Sequence, residues 1–274
     1  MPLSRLGTTS WSLQPADPAD LVRLIHDTGL DAVQLGLSPV VTDRAVWAQT
    51  VPRLLESNIT LLSGMMMPVA EDYTTLESIR QTGGVRPNET WPANEAMARA
   101  MAVLASNAGI SMVTMHAGCI PESAEDPEHA TMLSRLRLLA DVFYREGVHL
   151  AFETGQESAA SLLDVLAALD HPGVGINFDP ANMLLYGSGD PIEAMRLLSP
   201  YIMGLHLKDA VPSSVPGTWG TEMPLGQGAV DWDSFFALAH ELPHSVDAVI
   251  EREGGDQRVE QIRMGVDFVR THFT

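Results

Sequence analysis

The chain has 274 residues, 45% of them hydrophobic but only 6% aromatic, and sets 35 acidic against 16 basic side chains for a formal net charge of −19. That charge repels a phosphate backbone or an anionic bilayer, and no lysine- or arginine-rich run offsets it, so neither nucleic acid nor membrane is expected as a partner. A single cysteine, Cys119, excludes an internal disulfide; with no apolar run of about 18 residues and no long apolar stretch after Met1, the expected location is cytoplasmic.

Apolar runs of strand length recur along the chain with helical patterns between them. They centre on Gly7 to Trp11, Ala32 to Leu35, Thr60 to Met65, Met112 to His116, His149 to Glu153, Gly175 to Asp179, Ile202 to His206 and Ala248 to Glu251. Asp17-Pro18, Asp126-Pro127 and Asp190-Pro191 each offer a capping carboxylate followed by proline at the first helical position, with Glu193 as a capping-box partner to Asp190. Over Glu157 to Asp170, Leu162, Leu163, Leu166 and Leu169 share one helical face. Gly29, Gly109 and Gly147 stand where helices should end. The pattern predicts one domain over residues 1–274, an α/β fold in the form of a single (β/α)8 TIM barrel. An open doubly wound sheet would gather its ligand at a switch point, and no Gly-x-Gly-x-x-Gly turn follows the first strand. Two connections are long, Pro68 to Trp91 and Ala210 to Val230; both follow a strand and so belong to the active face.

Four successive strands end in ligand-type side chains: Glu153, Asp179, His206 and Glu251. After Asp179, Pro180 removes a backbone donor and stops the strand there. Residues two apart on a strand share a face, so Ala151 should point inward with Glu153, Asn177 with Asp179, and Glu251 with Glu253. Any one of these acids reads as well as a cap or a salt-bridge partner. Together they suit one divalent cation: Mn²⁺, Mg²⁺ or Co²⁺ by the oxygen-rich set, with Zn²⁺ also compatible.

The segments Phe152-Glu-Thr-Gly-Gln-Glu157, Asn177-Phe-Asp-Pro-Ala-Asn182, Gly204-Leu-His-Leu-Lys-Asp209, Glu222-Met-Pro-Leu-Gly-Gln-Gly228 and Val249-Ile-Glu-Arg-Glu253 resemble the sugar phosphate isomerase/epimerase family, the xylose isomerase-like TIM barrels. The resemblance covers nearly the whole chain. It implies that Glu153, Asp179, His206 and Glu251 bind the metal, and that Glu153 and Glu251 also serve as an acid/base pair on a small carbohydrate, exchanging a proton through a metal-stabilised enediolate. The chain departs from the ketose epimerases at Asn182, where a histidine is common, and at Val211-Pro-Ser-Ser, which replaces a basic residue.

Further substrate contacts are expected from His116, Asn182, Lys208, Glu253 and Trp11, with Gln34 and Glu157 as weaker candidates. Lys208 reads equally as a partner for Asp209 or Glu253. Trp91 and Trp219 could close over a sugar from the long loops, Met65-Met66-Met67 reads mainly as packing, and Cys119 as a bystander. The leading expectation is a sugar isomerase or epimerase. The same barrel and metal also suit a lyase or hydratase acting on keto-glycosides or keto-inositols. An endonuclease IV-like role is the remote alternative, because the charge is wrong for DNA. A homo-oligomer is left open.

Overall fold

The structure, a computed structural model, describes residues 3–272, so Met1 and Pro2 of the amino-terminal stretch lie outside it. Its strands are β1 (Leu3–Thr9), β2 (Ala32–Gly36), β3 (Thr60–Met65), β4 (Met112–Met115), β5 (His149–Glu153), β6 (Val174–Phe178), β7 (Ile202–Leu207), β8 (Asp209–Val211), β9 (Thr221–Met223) and β10 (Val246–Ile250). Eight of them close into a barrel in the order β1-β10-β7-β6-β5-β4-β3-β2, every neighbour pair parallel. Helices fill the connections, so the expected TIM barrel is the fold. Among the described residues no helix is long and apolar enough to cross a membrane.

The helix starts follow from local chemistry. Asp17 accepts from the amides of Ala19 and Asp20, Asp126 from Glu128, and Asp190 from Ile192 and Glu193, each ahead of a proline that has no N–H to satisfy. Glu193 gives only its backbone N–H, so Asp190 caps without the expected reciprocal bond; the complete capping box belongs to Thr75 and Ser78, ahead of the helix Leu76–Thr82. Gly29, Gly109 and Gly147 end their helices at φ of 80, 71 and 75°, where a β-carbon would be strained. The helix expected over Glu157 to Asp170 runs Ala159–Leu169, and Val165, not Leu163, completes its buried face with Leu162, Leu166 and Leu169.

Period-two alternation orients the strands that carry the candidate residues. Leu150 and Phe152, Ile176 and Phe178, Leu205 and Leu207, and Ala248 and Ile250 all join the main core, which lies between barrel and helices. Ala151, Asn177, His206 and Val249 alternate with them and therefore face the barrel interior. Gly204 shares that interior, where a β-carbon would come within 2.8 Å of the Asn177 side chain and of Met112.

Two expectations shift. The first strand ends at Thr9, leaving Trp11 in the following turn: Ser4 and Arg5 hid its true start, and pairing of Leu3 with Val246 and Leu6 with Ala248 fixes it. The Ala210 to Val230 connection is not plain loop. β8 and β9 form an antiparallel ribbon within it, in a stretch whose glycines and prolines hide strand character.

Candidate active site

The four strand-end residues meet. Glu153, Asp179, His206 and Glu251 are buried, and one ligand atom from each lies within 4.8 Å of the others. His206 Nδ1 is 3.2 Å from Glu153 Oε1, 3.5 Å from Glu251 Oε2 and 3.8 Å from Asp179 Oδ2.

Each group is held from behind. Asp179 stops β6 and caps the helix Pro180–Tyr186: Oδ1 accepts from the amides of Ala181 (2.8 Å) and Asn182 (3.0 Å), and Oδ2 is left bare. The Asn182 side chain donates from Nδ2 to Glu153 Oε1 at 2.9 Å and leaves Oε2 bare. Glu251 takes Trp11 Nε1 at 2.6 Å on one oxygen and Lys208 Nζ at 3.0 Å on the other. Gln34 Nε2 donates to Ser63 Oγ at 2.9 Å, so its Oε1 faces His206 Nε2 at 2.7 Å. Nε2 therefore carries a proton, and Nδ1 is the ring nitrogen turned toward the carboxylates.

Glu153 Oε2, Asp179 Oδ2 and His206 Nδ1 are all shut away from solvent without a hydrogen-bond partner. Leaving such groups unmet costs about 1–3 kcal/mol each. The four residues could hold a divalent cation, which would answer all three at once, and three carboxylates with one imidazole suit Mg²⁺, Mn²⁺ or Co²⁺ and also admit Zn²⁺. With no cation beside it, burial opposes a charged His206, yet Glu153 and Glu251 hold it well above its ordinary range, so an ion taking Nδ1 as ligand would displace a proton from it. Burial pushes the Asp179 carboxyl up to about 6. Burial works in the same direction on Glu251, but Lys208 and His206 outweigh it and keep that carboxyl far below the usual range.

Above this floor opens a cleft of about 440 Å³. Trp11, His116, Asn182, Lys208 and Glu253 all line it, as do Glu153 and Glu251. Lys208 pairs with Glu251 and with Glu253 (2.6 Å), not with Asp209, which points the other way along the alternation. His116 Nε2 stands 3.8 Å from Glu153 Oε1; burial opposes its charge, but Glu153 and Glu71 raise its pKa. Met65 and Met67 line the cleft, whereas Met66 packs in the core. Trp219 reaches the cleft, and its Nε1 is buried without an acceptor.

Trp91 does not reach the cleft: it opens the helix Trp91–Asn107, with the Arg135 guanidinium 5.2 Å from its ring. Cys119 and Glu157 line a separate hollow, and burial raises the Cys119 thiol. Five lining residues escaped the sequence reading: Glu71, Tyr73, Leu185, Tyr186 and Arg258. The first two lie in the long connection after β3, and Tyr186 lies one helical turn beyond Asn182, a spacing that points to a shared face. Nothing in the sequence singled out Arg258.

Two curated relatives match in part. A 3-dehydroshikimate dehydratase of Bacillus anthracis is 24% identical over 133 residues, 43% of this chain and 47% of the relative. A 3-oxo-isoapionate decarboxylase of Pectobacterium atrosepticum is 26% identical over 129 residues, 46% of each. The matched region thus spans about half the length of these relatives. Among solved structures, a xylose isomerase domain protein from Planctomyces limnophilus aligns with a TM-score of 0.85 at 25% identity, covering 99% of this chain and 96% of that one. A xylose isomerase-like barrel from Mycobacterium smegmatis in complex with magnesium aligns at 0.72 and 18% identity (99% and 96%). The 3-keto-D-glucoside 4-epimerase of E. coli aligns at 0.72 and 15% (97% and 99%). Residues 22–272 match the model of the xylose isomerase-like TIM barrel family, and the chain belongs to that family.

Proposed function

We propose that this chain is a divalent-metal-dependent enzyme that moves a proton on the carbon beside a carbonyl of a small carbohydrate, as an isomerase or epimerase. One observation carries the reading: four buried ligand groups converge on the floor of an open cleft with three of their atoms bare. A magnesium complex and a keto-sugar epimerase among the structural neighbours support it.

Glu153, Asp179, His206 and Glu251 would hold the ion. Bound there, it supplies a fixed positive charge that acidifies the C–H beside a carbonyl and offsets the negative charge developing on oxygen. Glu153 and Glu251 rise from β5 and β10, three places apart round the barrel, so they approach a substrate from different sides. One takes the proton, the other returns one to the opposite face, and the stereocentre inverts. Asn182 fixes Glu153 for this work; Trp11 and Lys208 fix Glu251.

The test is to strip metal, restore Mg²⁺, Mn²⁺ or Co²⁺, and follow solvent deuterium into ketoses, keto-sugars and inositol derivatives. Exchange should require the ion, and Glu153→Gln and Glu251→Gln should each slow it by about 100-fold or more. Unchanged turnover in either variant would remove that residue from the acid/base pair.

The partial relatives favour a second reading, because one is a dehydratase and the other a decarboxylase. In a dehydration, loss of a leaving group follows proton abstraction in place of reprotonation; in a decarboxylation, carbon dioxide leaves and the carbon it vacates takes up a proton. Product mass separates the two: elimination changes it and epimerisation does not.

A further inference from the structure

A TIM barrel that takes a phosphate commonly holds it on the loops after its seventh and eighth barrel strands, with backbone N–H groups as donors. Those strands are β7 and β10 here. Each is followed by a cluster of such donors, and each cluster already holds a carboxylate of the chain itself. After β7, the amides of Ala210, Gly226, Gly228 and Val230 and Trp232 Nε1 all donate to Asp209, which is buried. After β10, the amides of Glu253 and Gly254 each donate to Glu222 at 2.9 Å, and the Arg252 guanidinium pairs with the same carboxylate at 2.7 Å. Glu222 reaches this place from β9, its side chain only 12% exposed.

The second cradle borders the cleft, since Glu253 and Arg258, on either side of Gly254, both line it. A phosphate there would find the donors taken by Glu222 and would stand among the carboxylates of Glu71, Glu153, Glu251 and Glu253. Of the lysine and arginine heads lining the cleft, Lys208 is held by Glu251 and Glu253, and Arg258 gives its Nε to the Gly255 carbonyl at 3.2 Å. Donors that already hold a charged acceptor gain nothing from a second anion, and displacing Glu222 would leave a partly buried carboxylate without its partners. We infer that the substrate is an unphosphorylated sugar and that Glu222 sets this preference by occupying the place a phosphate would take. This rests on the proton-transfer reading for the sugar, whereas the filled cradles are present whatever the reaction.

Inorganic phosphate, titrated calorimetrically into the Mg²⁺-supplied protein, tests the cradle apart from turnover. Any phosphate taken by the ion is common to the parent and its variants, so the difference between them reads the cradle. Glu222→Gln keeps the size and removes the charge; Glu222→Ala empties the cradle. Each should bind phosphate about tenfold tighter than the parent, a gain that loss of fold cannot mimic. Equal affinity in the parent and both variants overturns the role of Glu222. Solvent deuterium uptake then compares ketoses and keto-sugars with their phosphate esters. The parent should favour the unphosphorylated member of a pair by about 100-fold or more in kcat/KM, and Glu222→Ala should narrow that gap by about tenfold. A parent that favours the phosphate ester overturns the substrate assignment. Uptake into neither member, with phosphate binding gained in the variants, sinks the proton-transfer reading and keeps the cradle.

Discussion

Glu157 and Gln34 were the two weakest candidates in the sequence, and the structure gives each a defined physical setting. Glu157 is only 7% exposed, its Oε1 has no partner, and burial pushes its carboxyl up to about 7 from an ordinary value of 4.5. Below 4.5 both folded and unfolded chains hold this proton; as pH rises toward 7 the unfolded chain releases it first, so stability falls across that window and then levels off. The loss amounts to about 3 kcal/mol. Glu157→Gln should flatten the decline between those two pH values and raise the melting temperature at pH 8, read by thermal unfolding; a variant that melts with the parental pH profile would refute the assignment. Gln34 acts through His206, whose Nδ1 it aims at the carboxylates. Gln34→Leu should therefore weaken Mn²⁺ binding by about 10- to 100-fold while the chain stays folded, measured by titration calorimetry with circular dichroism as control. Neither role was legible beforehand, because what each side chain faces comes from strands far away in sequence.

At the scale of elements, the strand ends were readable and the ribbon was not. Alternation places Glu153, His206 and Glu251 inward because their neighbours Phe152, Leu205, Leu207 and Ile250 must enter the core, a constraint visible in the sequence itself. β8 and β9 gave no such signal. Their position depends on Asp209, a buried carboxylate whose oxygens accept from the amides of Ala210, Gly226, Gly228 and Val230 and from Trp232 Nε1, at 2.9 to 3.3 Å. Asp209 thus fastens the far end of the long connection while Lys208, one residue earlier, faces the cleft. Asp209→Ala leaves these donors without an acceptor and should destabilise the protein by about 3 kcal/mol or more, read as a lower urea midpoint. An unchanged midpoint would show that the ribbon is anchored elsewhere.

For the molecule as a whole, the candidate metal site links ion binding to stability. Three bare buried atoms in the folded chain have no counterpart in the unfolded one, so a divalent ion at 100 times its Kd should add about 2.7 kcal/mol, roughly 5 to 10 °C in melting temperature. Chelation should reverse the gain, and Asp179→Asn should abolish it; a melting curve indifferent to Mg²⁺, Mn²⁺, Co²⁺ and chelator would exclude a metal bound in the folded state. The sequence alone determined the barrel and its four ligand-type strand ends, because hydrophobic period, capping aspartates and terminal glycines are local properties that each segment carries by itself. Only the tertiary structure decided that Asn182 braces Glu153, that Lys208 bridges Glu251 and Glu253, that Trp91 stays out of the cleft, and that Tyr186 lines it. Those relations join residues from different loops, and closing the barrel is what brings them within reach of one another.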